Sequence, residues 1–166
     1  MNHAKQIVTR QLGEDYLSWP QRTLFDRIGV RRQILETDLY GNFILSGFDY
    51  GTARNWARLG LLYLQDGLFA GQRLLPEGWS RFVSTPAPAW EQPVYGGQFW
   101  LNRTGEWALP NDAYTMYGYG QQRVFIVPSE ELVIVRMGHV CAHTAAIRST
   151  NTLVKDILAA LKGEAR

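Results

Sequence analysis

The chain lacks any apolar run approaching the length of a membrane span, holds a single cysteine, and carries almost no excess of charge of either sign. The first absence removes a bilayer-crossing helix, which takes about 20 consecutive apolar residues. Cys141 has nothing to pair with inside the chain, which excludes a small disulfide-stapled scaffold and leaves the redox compartment open. Seventeen basic against fifteen acidic side chains give a formal charge of +2, too small and too scattered for a nucleic-acid or membrane-surface footprint. The start, MNHAKQIVTRQLG, is polar or charged throughout and has no signal-peptide apolar region, so the chain reads as soluble and not visibly exported. No internal repeat or low-complexity tract is present. Also missing are the local signatures of a nucleophilic serine. None of Ser18, Ser46, Ser80, Ser84, Ser129 and Ser149 is followed three residues later by lysine, and none sits in Gly-x-Ser-x-Gly.

What is present is apolar mass: 46% hydrophobic and 13% aromatic residues in 166, enough for one globular domain, 1–166, with a core. Ala4, Ile7, Val8 and Leu12 are spaced for one buried helical face ended by Gly13, and a short helix is expected after Pro20 through Leu24, Phe25 and Ile28. Arg31 to Tyr50 has no sustained period and reads as an irregular connection. The clearest helix is Thr52 to Gly67, with Thr52 as N-cap, Gly67 as C-terminal cap and a stripe of Ala53, Trp56, Ala57, Gly60, Tyr63 and Leu64. Gly60 costs about 1 kcal/mol of helix propensity relative to alanine, which points to close approach by another element. LLPEGWSRFVS predicts a helix with Pro76 in its first turn and Trp79, Phe82 and Val83 as anchors, and Thr85 to Pro93 is an extended linker.

Beyond the linker the period becomes strand-like. Tyr95 to Asn102, Gln121 to Pro128 and Leu132 to Gly138 predict three strands, the last two joined by a tight turn at Pro128 to Glu131. Val124 to Val127 and Leu132 to Val135 are continuously apolar, so that hairpin should be covered on both faces in the middle of a sheet. A closing helix carries Leu153, Val154, Ile157, Leu158 and Leu161 as its stripe. The expected class is α/β of the α+β type: an antiparallel sheet of about three strands flanked by helices.

Few residues carry chemistry on their face value. His139, Cys141 and His143 share one face of an extended stretch and would suit zinc, but a fourth ligand is missing and a loop with a small cysteine and two solvated histidines is the favoured reading. No metal or other cofactor is therefore assigned. Glu14-Asp15 and Glu130-Glu131 read as solvated surface rather than acid/base pairs. Tyr40-Gly41-Asn42 resembles a Tyr-x-Asn element of penicillin-recognising serine enzymes but suits an ordinary turn better. Met116 to Pro128, MYGYGQQRVFIVP, is more informative. Gly118 and Gly120 permit close backbone approach by a ligand, and amides at a strand start are what an oxyanion hole or carboxylate clamp uses. Gln121 and Gln122 offer side-chain donors, and Tyr117 or Tyr119 a phenol; a glycine-softened strand entry is the competing interpretation.

The order of segments resembles the second half of the β-lactamase-like serine hydrolases, which include class C β-lactamases, D,D-peptidases, esterases and 6-aminohexanoate-oligomer hydrolases. The residues that carry the resemblance are Leu24-Phe-Asp-Arg-Ile-Gly29, Thr52-Ala-Arg-Asn-Trp-Ala-Arg-Leu-Gly60, Asp66-Gly67, Leu75-Pro76 with Trp79, Tyr95-Gly96 with Phe99-Trp100, and Gly118 to Ser129 leading into Leu132 to Gly138. It implies a partial β-lactamase/transpeptidase-like fold lacking its N-terminal elements, and a parent that hydrolyses a small-molecule ester, amide or lactam through an acyl-serine intermediate. It places Tyr119-Gly120-Gln121 on the family's Lys/His-x-Gly motif and Gln122 on the residue whose N–H faces the oxyanion. Tyrosine in place of lysine or histidine favours ester or amide substrates over β-lactams. The family's Ser-x-x-Lys and Tyr-x-Asn elements precede the matched region, so the chain is expected to be a C-terminal portion, inactive alone. It would be partnered by an upstream complementary segment or by itself through exposed apolar edges. A non-catalytic ligand- or protein-binding module is the alternative.

Overall fold

Two uninterrupted apolar runs, VFIV and LVIV, build the centre of the molecule's largest sheet, as seen in a computed structural model that describes residue 7 and residues 11–45, 47–139 and 143–163. The chain divides into two compact units, Met1–Leu59 and Gly60–Arg166.

In the first unit, Ile7, Gln11 and Leu12 are helical, but Ile7 is exposed rather than buried, and Ala4 and Val8 lie outside the described residues. Gly13 takes the left-handed conformation its stop role requires. The segment after Pro20 is helical in two short pieces, Gln21–Phe25 and Asp26–Ile28, which bury Phe25 and Ile28 and end at Gly29 with φ 68°. Arg31 to Tyr50 is more ordered than its composition suggests. Strands β1 (Ile34–Leu35) and β2 (Asp49–Tyr50) pair antiparallel, and a bridge joins Thr37 to Phe43. Between them Tyr40-Gly41-Asn42 is a turn: the Asp38 carboxylate accepts from the amides of Tyr40 and Asn42, each at 2.9 Å. Buried Asn55 ties this region to the next helix by donating to the Arg31 carbonyl at 2.7 Å and to Gln33 Oε1 at 3.1 Å.

Helix α1 (Ala53–Leu64) contains the boundary between the units. Thr52 caps it, its Oγ1 accepting from the Asn55 amide at 3.2 Å, and Gly67 closes it with φ 82°. The buried positions are Asn55, Leu59, Gly60 and Leu62, so the inward face is rotated from the expected stripe and Ala53 is exposed.

The second unit opens with the small antiparallel pair β3 (Leu68–Phe69) and β4 (Gln72–Arg73), followed by the single-turn helix α2 (Trp79–Val83). Of its expected anchors only Val83 is buried; Trp79 and Phe82 lie against each other at the surface. What holds α2 is Asp66, whose carboxylate accepts from the amides of Gly78 and Ser80 at 2.7 and 3.0 Å. Those two amide hydrogen bonds keep the Asp66 pKa below the ordinary carboxylate value.

The main sheet has four antiparallel strands in the order β5 (Trp100–Leu101), β6 (Tyr114–Gly118), β7 (Gln122–Val127), β8 (Leu132–Arg136). β6 is the strand missing from the expected three, and the strand expected at Tyr95 shrinks to a bridge between Tyr95 and Trp100 followed by β5. β7 is internal, whereas β8 lies at the edge rather than in the middle. Both faces of β7 are covered. Phe125 and Val127 pack with Trp107, Leu109 and Val154 of helix α3 (His143–Leu161), and Ile126 packs with Val83, Phe99, Leu101 and Tyr114. On α3, Ala146, Thr150 and Val154 point inward, while Leu153 and Leu161 are exposed. Gly60 serves close approach: a Cβ there would sit 2.6 Å from Val133 Cγ1 and 3.1 Å from Val124 Cγ1.

Candidate functional site

Tyr119, Gly120 and Gln121 do not open a strand. Tyr119–Gln121 form the tight turn of the β6–β7 hairpin, and Gln122 is the first residue of β7, paired with Gly118. The turn reverses the chain by placing two successive residues in the left-handed region, Gly120 at φ 71° and Gln121 at φ 69°. Glycine does this freely; for Gln121 the conformation costs on the order of 1 kcal/mol, and the surroundings must hold it there.

They do so with two arginines. Arg136 Nη1 donates to the Gln121 carbonyl at 2.9 Å, and Arg123 Nη2 donates to Gln121 Oε1 at 3.1 Å. Gln122 is held as firmly, its carboxamide donating to the Gly138 carbonyl at 2.5 Å and accepting from the Gly138 amide at 2.9 Å. The Gln122 side chain is thus a rung between β7 and the end of β8 rather than a donor for a ligand, and Gln121 is buried. Tyr119 is 89% exposed, its ring 6.1 Å from that of His139, and the vacant side-chain position of Gly120 lies 2.7 Å from His139 Nδ1. Residues 119–121 thus form a short, braced turn at one end of the sheet.

Arg123 and Arg136, which sequence reasoning passed over, are cross-strand partners. Arg123 is buried, with its guanidinium carbon 3.2 Å from the centre of the Tyr117 ring and 4.6 Å from that of Trp107, and its Nε has no partner among the described residues. Burial pulls its pKa below the usual arginine value; the nearby Tyr117 and Glu106 oppose that, and Arg136 adds to it. The signal available in the sequence was the symmetry of QQRVFIV and LVIVRM about their connecting turn: counting outward from it sets Arg123 against Arg136.

The remaining candidates do not converge. His139 follows β8, His143 begins α3, and Cys141 lies outside the described residues; no cluster of three or more metal-ligating side chains occurs among the described residues. Glu130 pairs with Lys162 and Asp15 with Arg22, each at 3.5 Å, as surface contacts. A cleft of about 310 Å³ lies within the first unit, lined by Leu17, Phe25, Ile34 and Phe43 with Gln21 and Gln33 at its wall, and includes none of residues 119–122. No helix among the described residues is long and apolar enough to cross a membrane.

Solved structures place this architecture. A chain from Bacillus anthracis assigned as a 6-aminohexanoate-dimer hydrolase superposes on 98% of this chain with a TM-score of 0.74 and 20% sequence identity. The fold is β-lactamase-like. A chain from Bacteroides dorei assigned as a β-lactamase matches 80% of it, with a TM-score of 0.54 and 14% identity. The chain spans 42% of the length of the first of these structures and 49% of the second. No protein-family model matches it, and no curated protein sequence does.

Proposed function

We propose that the chain is the C-terminal part of a serine hydrolase of the β-lactamase-like family that cleaves esters or amides through an acyl-serine intermediate. In this reading residues 1–166 belong to one hydrolase domain and Tyr119, Gly120, Gln121 and Gln122 form the lip beside the reacting carbonyl. A serine Oγ from a Ser-x-x-Lys segment outside these 166 residues attacks the carbonyl carbon, the alcohol or amine departs, and water releases the acyl group. The lip contributes backbone N–H groups to the oxyanion, the arrangement that stabilises developing charge best when it is rigid beforehand. The observation that carries the proposal is the likeness to the Bacillus anthracis structure, which extends over 98% of this chain but 42% of that one. The bracing of Gln121 by Arg123 and Arg136 supports it, since strained backbone held in place by its surroundings clusters at functional sites.

The test is labelling with a fluorophosphonate, which tags activated serines. The 166-residue chain alone should remain unlabelled and should not turn over p-nitrophenyl acetate. Joined to the polypeptide encoded upstream of the Met1 codon, it should gain both, with the tag on a serine of the added segment. A tag on any serine of the present chain would overturn the assignment, and a chain that binds ligand yet gains nothing from the added segment would instead be a non-catalytic binding module.

A further inference from the structure

We propose that the rings of Trp90, Tyr95, Trp100 and Tyr117 form a binding wall for an uncharged aryl group, so that the substrates of the site described above are aryl esters or anilides. The inference rests on the reading of residues 119–122 as the lip at the reacting carbonyl. The four rings are in continuous contact: Trp90 to Tyr95 at 5.5 Å, Tyr95 to Trp100 at 5.1 Å, Trp90 to Trp100 at 6.0 Å and Trp100 to Tyr117 at 6.3 Å. Trp90, Trp100 and Tyr117 are 48%, 38% and 40% exposed. Scattered exposed aromatics need no explanation, but a contiguous row of them marks a surface that binds something.

The row is rigid and reaches the lip. Trp100 lies on β5 and Tyr117 on β6, Tyr95 is bridged to Trp100, and Tyr117 directly precedes Gly118 at the turn. Three of the four contacts are near-perpendicular or edge-on, with interplanar angles of 70° to 74°. Ring edges and faces therefore alternate along the wall, and an aryl group continues that pattern better than an aliphatic chain does. Charge selects the ligand further. The cation that an aromatic wall would otherwise attract is already in place, because the Arg123 guanidinium lies against Tyr117. A second cation would be repelled, and the guanidinium, being buried, offers an anion no direct hydrogen bond.

The test titrates the full chain with acetanilide, N-cyclohexylacetamide and benzamidinium, following the indole N–H resonances of Trp90 and Trp100 and the amides of Gly118 to Gln122. Acetanilide should shift both indoles saturably, with N-cyclohexylacetamide and benzamidinium each about tenfold weaker. Trp100→Ala should weaken acetanilide by a similar factor and Trp19→Ala should leave it unchanged. Trp90→Leu, in an irregular segment, provides the same comparison should Trp100→Ala fail to fold. Indole shifts without movement of the Gly118 to Gln122 amides would uphold the wall and count against the lip. Acetanilide binding that survives both wall variants, equal binding of the cyclohexyl compound, or burial of the row in a dimer would overturn the proposal.

Discussion

Asp66 shows how one side chain can fix an element that its own sequence would not sustain. Helix α2 is a single turn with two of its three aromatic or aliphatic anchors at the surface, yet its N-terminal amides are held by a carboxylate from twelve residues earlier. Replacing Asp66 with alanine should cost about 1 kcal/mol, the usual value of a lost helix cap, read as a lower urea midpoint. The acid dependence follows from the depressed pKa. Below the ordinary carboxylate value of 3.8 the unfolded chain takes up a proton that the folded chain still refuses. The stabilisation is thus complete above that pH and is lost as pH falls through the folded value. Asp66→Asn should flatten this part of the acid limb of a stability profile, and an unchanged profile would show that the two amide bonds contribute nothing. At the same scale Gln121 is one of seven non-glycine residues with positive φ among the described residues, and two arginines brace it there.

Among the elements, α1 and the β7–β8 hairpin depend on each other through Gly60. An alanine there regains about 1 kcal/mol of helix propensity but forces its Cβ into Val133 and Val124, an overpacking worth about 2 kcal/mol. Gly60→Ala should therefore be net destabilising by about 1 kcal/mol, and Val133→Ala should largely suppress the loss in a double-mutant cycle on chemical denaturation. The elements legible in the sequence were those with an uninterrupted signal. α1 had a cap at each end, and β7 and β8 had four apolar residues in a row. β6 was missed because Tyr114 to Gly118 mixes aromatic, polar and glycine residues and alternates between two differently built cores. β1 and β2 are two residues each, too short for any period to show. For the site, composition pointed to residues 118–122, but taking Gln121 as a strand residue hid the turn. With β6 unseen, there was no partner strand for the turn to connect.

For the molecule as a whole, the distribution of apolar surface is uneven. Among the described residues β8, with Leu132 to Val135, ends the main sheet, and the first unit leaves Ile34, Leu39 and Tyr40 at 60%, 101% and 89% exposure. An apolar edge strand with a single terminal arginine has little to discourage pairing. The isolated chain should therefore associate as its concentration rises, and Val135→Lys should shift sedimentation velocity profiles back toward the monomer; a wild-type chain that stays monomeric throughout would show the edge is protected. The six tryptophans divide in a way that makes such experiments easier to follow. Trp107 is the buried one, pressed beneath a guanidinium in the main core, Trp56 is half-buried, and Trp19, Trp79, Trp90 and Trp100 meet water. Trp107 should therefore act as a built-in optical label, emitting to the blue of the exposed indoles and resisting solute quenchers, so that loss of this signal reports opening of that core without any attached dye.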